Sequence, residues 1–266
     1  MILDAILDTK RREIAERQRQ RPLRVLEAEL ARAAPVRAFE RALRRDDGVA
    51  VIAEIKRKSP SGGELRPGAS AADVAAMYAA GGAAAISVLT DATYFGGSDD
   101  DLHAARAASG LPVLRKDFVF DEYQVYEARA IGADAVLLIV RALSRTALAA
   151  LLARTHELGM AALVEAHTAD EVDQALAAGA RVVGVNNRDL DSLVTDPSLA
   201  LRLRPRVPTH CVYVAESGVS EPEHIALLRD AGADAVLIGE ALVRALDPGV
   251  KLRKLVSAGV RQQVAT

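Results

Sequence analysis

A chain of 266 residues is too long for a minimal module and close to the usual length of a (β/α)8 barrel. Half of it is apolar, 26% is charged and the formal net charge is -2, which excludes a disordered or fibrous chain and a basic face for nucleic acid. The lone cysteine, Cys211, rules out an internal disulfide, and the longest apolar runs, 83–89 and 135–140, fall far short of the roughly 18 residues of a membrane span. Asp4 and Asp8 interrupt the first ten residues, so no signal-peptide layout is present, and a cytoplasmic protein is expected.

Residues 1–48 are expected to form a helical extension. Leu3, Ile6 and Leu7, then Val25, Leu26 and Leu30, recur at helical spacing, while Arg11, Arg12, Arg17, Arg19 and Arg21 fall on a polar surface. A helical lid packed on the main body is the simplest reading. No Pro-, Gly- or Ser-rich linker sets it apart, so 1–266 reads as one domain.

From Val49 onward one phrase repeats. Gly82-Ala-Ala-Ala-Ile86, Gly132-Ala-Asp-Ala-Val136, Gly179-Ala-Arg-Val-Val183 and Gly232-Ala-Asp-Ala-Val236 each follow a helical pattern and open an apolar run. Glycine ends a helix cheaply at positive φ, and the β-branched run after it reads as a buried strand. Eight strands result, at 49–55, 84–89, 113–114, 135–140, 161–164, 182–185, 212–215 and 235–238, with Cys211 as a small residue of the seventh. Their continuous apolar character suits parallel strands covered on both faces. Helix starts are expected at Ser70, at Ser144, at Thr168 with Glu171 three residues on, and at Ser220 ahead of Pro222 and Glu223. Strict βα alternation leaves a closed barrel or an open doubly wound sheet, and no Gly-x-Gly-x-x-Gly follows the first strand to support a dinucleotide site.

In such barrels the chemistry sits where strands end. The first strand ends in Glu54-Ile55-Lys56, whose period of two places both charges on one face, the third in Lys116-Asp117 and the fifth in Glu165. The sixth ends in Asn186-Asn187-Arg188 and the seventh in Glu216-Ser217. Each charge alone would pass for half of a solvated rim pair. Two lysines, three glutamates and an asparagine at one opening favour a working site, because burying them without a task costs several kcal/mol each.

Ser217-Gly218 and Gly239-Glu240 stand at the last two strand ends, where many such barrels hold a phosphate on backbone N–H groups. The loop Lys56-Arg57-Lys58-Ser59-Pro60-Ser61-Gly62-Gly63 reads either as a flexible basic connection or as cations that attract an anion. In a chain with no Trp, Phe95 and Phe118 suit an aromatic ring, whereas core filling also explains Leu138 and Leu190. The five histidines share no ligand spacing, so no metal is expected, and His167 reads as a residue behind Glu165 or facing solvent.

The segments Ala53-Glu-Ile-Lys-Arg-Lys-Ser-Pro-Ser61, Tyr94-Phe-Gly-Gly-Ser98, Leu114-Arg-Lys-Asp-Phe118, Leu163-Val-Glu165, Gly184-Val-Asn-Asn-Arg-Asp-Leu190 and Ala215-Glu-Ser-Gly218 occur in order. On these the chain resembles the indole-3-glycerol-phosphate synthase family over essentially its whole length. The resemblance implies a (β/α)8 barrel with an N-terminal helical extension and a reaction of tryptophan biosynthesis that needs no cofactor. It closes the ring of a carboxyphenylamino-deoxyribulose phosphate, then releases CO2 and water. It also implies Lys116 as general acid, Glu165 as general base or charge stabiliser, and Lys56 as the cation for a substrate anion. Glu54, Asn186, Glu216 and Ser217 would orient hydroxyls and the lysines. Ser59 would contact substrate, Arg188 the carboxylate, and Phe95, Phe118, Leu138 and Leu190 the ring. Gly218, Gly239 and the backbone of Glu240 would take the phosphate, the Glu240 carboxylate turning away. A sugar-phosphate substrate, no membrane or nucleic-acid partner, and a monomer or weak homo-oligomer follow. The open alternatives are another phosphate-binding barrel, such as phosphoribosylanthranilate isomerase, a class I aldolase using Lys116, and a catalytically silent scaffold.

Overall fold

The computed structural model describes residues 2–59, 63–64 and 69–261. Eight parallel strands close on themselves: β1 (Gly48–Ile55), β2 (Ala85–Leu89), β3 (Val113–Lys116), β4 (Ala135–Ile139), β5 (Ala161–Ala166), β6 (Val182–Asn186), β7 (Val212–Glu216) and β8 (Ala235–Ile238). Ile52 of β1 pairs with Ala85 on one side and Leu237 on the other, which seals the cylinder. Helices between the strands complete a (β/α)8 barrel, so the closed alternative holds over the open sheet.

The period of two sorts each strand between two cores. Ile52, Leu114, Leu137, Leu163, Val214 and Leu237 fill the interior, while Val51, Ile86, Val136, Leu138, Val183 and Val236 meet the surrounding helices. Because both faces are buried, the strands read as unbroken apolar runs. Their polar ends belong to the ladder: Glu165 pairs with Ile139, and Glu216 with Asn186. These residues sit inside strands held by backbone hydrogen bonds, one or more positions beyond the apolar stretches seen in the sequence.

Three local expectations need adjustment. Ser70, Ser144 and Thr168 accept the expected backbone N–H groups, but the helix Pro222–Asp230 is capped by Glu221 without a side-chain bond, while the Ser220 N–H donates to His224 Nδ1 at 3.3 Å. The Glu171 carboxylate turns to the His167 N–H at 2.6 Å. Cys211 lies buried one residue ahead of β7.

The extension begins with helices α1 (Ile2–Gln20) and α2 (Leu23–Leu30). Leu3, Ile6 and Leu7 of α1 join the inner core at the C-terminal end of the barrel beside Phe118, and Leu26 of α2 is fully buried with Tyr123 and Tyr126. The polar side of α1 is not all solvated. Arg17 pairs with the buried Glu127 at 3.2 Å, and Lys10, only 2% exposed, lies 2.7 Å from Asp91 and 3.2 Å from Asp117. Burial alone would lower the Lys10 pKa, and the Asp117 and Asp91 carboxylates more than reverse that, so it is raised. Asp117 also faces the fully buried Arg115, at 3.5 Å.

Removing one partner of a buried ion cluster strands the other charges. Lys10→Ala is expected to destabilise the protein by about 3 kcal/mol. Urea unfolding measures this, and a loss below about 1 kcal/mol would mean that apolar contacts alone hold α1.

Candidate active site

A cavity of about 370 Å3 opens where the strands end. Glu54, Lys56, Lys116, Glu165, Asn186, Glu216 and Ser217 all line it, from five different strands or the residues just past them. Phe95, Phe118, Arg188, Leu190, Gly218, Gly239 and Glu240 line it as well. The side chain of Ser59 lies outside the described residues. Leu138 is placed elsewhere: it faces the outer core, and its neighbours Leu137 and Ile139 face the cavity. The expectation that Leu138 meets a ring is therefore corrected by one position on either side. Ile2, Leu3 and Ile6 of α1 also reach the cavity, so the extension forms part of its apolar wall.

At the centre, Lys116 Nζ lies 3.5 Å from Glu165 Oε2 and 3.7 Å from Glu216 Oε2. Both carboxylates are 1% exposed. Burial by itself would lower the Lys116 pKa, and Glu165, Glu216 and Glu54 together overcome this and hold the ammonium protonated. Burial would likewise raise Glu165, but Lys116 and His167 keep it low and ionised. Glu216 goes the other way. Burial and the neighbouring Glu165 charge push its carboxyl well above the usual range, against the pull of Lys116. The site thus separates one charged carboxylate from one prone to hold a proton, beside a fixed cation.

Glycines make room for this arrangement. A Cβ on Gly184 would fall 2.2 Å from Glu216 Oε1, and one on Gly239 would fall 2.4 Å from Glu54 Oε1. Gly239, expected only as a phosphate contact, is thus also the space that Glu54 occupies. Glu54 Oε1 in turn lies 3.5 Å from Lys56 Nζ.

The cavity lining is of two kinds. Phe95 and Phe118 stand 6.2 Å apart, tilted by 33°, and with Leu190 and the α1 residues form an apolar slot. Ser217 and Gly218, also in the lining, adopt φ of 60° and 75°, a left-handed turn that is costly for serine. Asn187, buried below, donates to the Ser217 carbonyl at 2.9 Å and helps hold that turn. Arg188 reaches the cavity already paired: its Nη2 lies 2.8 Å from Glu240 Oε2, and Arg244 Nε lies 3.0 Å from Glu240 Oε1. Arg188 holds the Glu240 carboxyl below its usual range, with Arg244 assisting against partial burial.

Of the cations after β1 among the described residues, Lys56 lines the cavity and Arg57 and Lys58 do not. Arg57 is engaged by both oxygens of Asp101, and Lys58 Nζ donates to the Thr93 carbonyl at 2.8 Å. Both serve to fasten the loop. His167 is buried rather than solvent-facing, between Glu165 and Glu171. Among the described residues no group of three or more His, Cys, Asp or Glu could hold a metal ion. A protonated lysine between buried carboxylates, a second lysine and an apolar slot can together support acid–base chemistry on a ligand with both charged and apolar parts.

The raised Glu216 pKa has a consequence for stability. Between its ordinary pKa and the raised one, the folded state binds the extra proton, so stability falls as pH rises through that window. Glu216→Gln is expected to flatten this fall and to raise Tm at mildly alkaline pH, by roughly 2–4 °C per kcal/mol relieved. Scanning calorimetry across pH checks it, and a variant with the wild-type pH slope would contradict it.

The indole-3-glycerol phosphate synthase family model matches residues 3–255. A relative from Kineococcus radiotolerans, an indole-3-glycerol phosphate synthase, is 50% identical over 99% of this chain and 97% of its own. The indole-3-glycerol phosphate synthase 2 of Streptomyces coelicolor is 58% identical over 86% of this chain and 88% of its own. Among solved structures, the thiamine phosphate pyrophosphorylase of Pyrococcus furiosus superposes with a TM-score of 0.60 at 14% identity, covering 83% of this chain and 97% of that one, a likeness of fold alone.

Proposed function

From the premise that the chain belongs to the indole-3-glycerol phosphate synthase family, we propose a division of labour for its cavity in which Lys116 is the acid and Glu165 the base. The enzyme is a carboxy-lyase of tryptophan biosynthesis. It converts 1-(2-carboxyphenylamino)-1-deoxy-D-ribulose 5-phosphate into indole-3-glycerol phosphate, CO2 and water.

Ring closure joins the ring carbon that bears the carboxylate to the ketone carbon of the sugar. Negative charge grows on the ketone oxygen as the bond forms, and an ammonium placed to donate a proton there lowers the barrier. Lys116 has that role. Loss of CO2 then returns the bonding electrons to the ring. The new hydroxyl departs as water, with Lys56 or Lys116 supplying a proton and Glu165 accepting one, and aromaticity of the indole is gained. Glu216, whose carboxyl is pushed toward its protonated form, hydrogen-bonds a sugar hydroxyl or Glu165, while Glu54 and Asn186 orient the lysines and hydroxyls.

Phe95, Phe118 and Leu190 grip the ring, with Leu137 and Ile139 taking the place expected of Leu138. The Ser217–Gly218 turn, Gly239 and the Glu240 N–H receive the phosphate. Arg188 meets the substrate carboxylate, and its pairing with Glu240 sets its position beforehand. Ser59 is proposed as a further substrate contact. No cofactor enters, and the net charge of -2 suits a cytoplasmic monomer or weak homo-oligomer that binds neither nucleic acid nor membrane.

The observation that carries this reading is the contact of Lys116 with two buried carboxylates in the same cavity as Lys56. It also speaks against a class I aldolase, which needs a neutral amine as nucleophile, whereas the Lys116 pKa is raised. A phosphoribosylanthranilate isomerase would need a cysteine at the end of β1, where Glu54-Ile55-Lys56 stands. A scaffold would need none of these polar strand ends.

Mixing the protein with the substrate is expected to produce growing indole fluorescence over a low background, since the chain has no Trp. A flat trace from folded protein would contradict the reading. Lys116→Ala is expected to lower kcat by roughly 10²- to 10⁴-fold with a much smaller change in KM. Steady-state kinetics decides, and an effect confined to KM would remove Lys116 from the acid role.

A further inference from the structure

Behind Glu165 lies a group that the reaction scheme does not use. His167 Nε2 is 3.6 Å from Glu165 Oε1, and its Nδ1 is 3.5 Å from Glu171 Oε2. The imidazole is 2% exposed, and neither nitrogen has a hydrogen-bond partner among the described residues. Glu171, on the helix Ala169–Ala177, also accepts from Arg141 Nε at 3.2 Å, and Arg141 Nη1 reaches Asp189 at 3.2 Å in the loop after β6.

These contacts form a continuous string from the cavity outward: Lys116, Glu165, His167, Glu171, Arg141, Asp189. Carboxylates alternate with nitrogen groups along it. The two ring nitrogens face one carboxylate each, Nε2 toward Glu165 and Nδ1 toward Glu171, so the ring fills the space between them. The groups around it are Glu165 from β5, with Lys116 of β3 behind, and Glu171 from the following helix, with Arg141 from the turn after β4 behind. Without the ring, Glu165 and Glu171 would face one another across a gap.

The two oxygens of Glu165 therefore have different tasks. Oε2 faces Lys116 and Oε1 faces His167. A glutamate side chain has three rotatable bonds, and a fixed partner on one oxygen is what keeps the other aimed at the ammonium.

We propose that His167 is a positioning residue for ring closure, held between Glu165 and Glu171 so that the Glu165 carboxylate stays directed at Lys116 and the substrate. This rests on the reading of Glu165 as the base. His167 touches no substrate in this scheme, so its removal acts on the chemical step through Glu165 and leaves binding largely alone.

The test compares His167→Leu and His167→Gln with the wild type by indole fluorescence, measuring kcat, KM and the pH profile, with thermal melting as the control for folding. His167→Leu is expected to lower kcat roughly 10- to 100-fold with KM changed by less than about threefold. The acid limb of its kcat profile is expected to move to higher pH, because Glu165 loses a neighbour that favours its charged form. His167→Gln, which retains an N–H donor and no charge, is expected to recover part of kcat while keeping the displaced limb. A folded variant with kcat within about twofold of wild type and an unmoved limb overturns the proposal. Should His167→Leu fail to fold, the limb of His167→Gln decides alone in the same way. No turnover by the wild type, or full turnover by Lys116→Ala, would overturn the reading of the cavity and with it this inference, whereas a failure confined to the His167 variants overturns the inference alone.

Discussion

The Lys116 ammonium between Glu165 and Glu216 is the contact on which the rest of the site depends. Burial disfavours the charged form of a lysine at the mouth of a barrel, 15% exposed, and here the neighbouring carboxylates, Glu165 foremost, outweigh it. Glu165 and Glu216 repel each other in turn, so the cluster is stable only with the cation present and with one carboxyl inclined to keep a proton. Each neighbour answers a requirement of that cluster. The missing Cβ atoms of Gly184 and Gly239 leave space for the carboxylates of Glu216 and Glu54. The apolar residues of α1 close the cavity from above, and a drier cavity strengthens every charge interaction inside it.

The same network runs into the scaffold. Lys116 is followed by Asp117, which pairs with the buried Lys10 of α1 and faces Arg115, and Asp91, another partner of Lys10, caps the short helix that carries Phe95. The extension, the acid and the ring slot are thus tied by one group of buried charges. Such charges contribute little net stability compared with apolar packing, but removing any one of them is expensive. Their arrangement makes sense as a device that fixes position, and the stability sacrificed at Glu216 is consistent with a site shaped by chemistry.

Much of this was legible in the chain. Glycine followed by an apolar run marked β2, β4, β6 and β8, and the polar residues at the ends of β1, β3, β5, β6 and β7 pointed to the cavity because little else explains a Glu or Lys there. What escaped had physical reasons. The run 135–140 is apolar on both faces and β4 has no polar residue to mark its inner side, so Leu138 could not be told from Leu137 and Ile139. Lys10 looks like any lysine on a polar helix face, since its partners Asp91 and Asp117 lie far along the chain. The pairing of Arg188 with Glu240 likewise joins distant segments. For Arg57 and Lys58, a loop rich in cations gave no sign that a carboxylate and a carbonyl already hold them.

The charge state of Lys116 tests this account most directly. The ζ-nitrogen of Lys116 can be followed by NMR in the labelled protein from about pH 6 to about pH 10, across the range where an ordinary lysine begins to titrate. An ammonium signal that persists to the upper end, and that titrates earlier once Glu165 is replaced by Gln, is the predicted result. A neutral amine at neutral pH would contradict it, for such a group could not act as the proton donor.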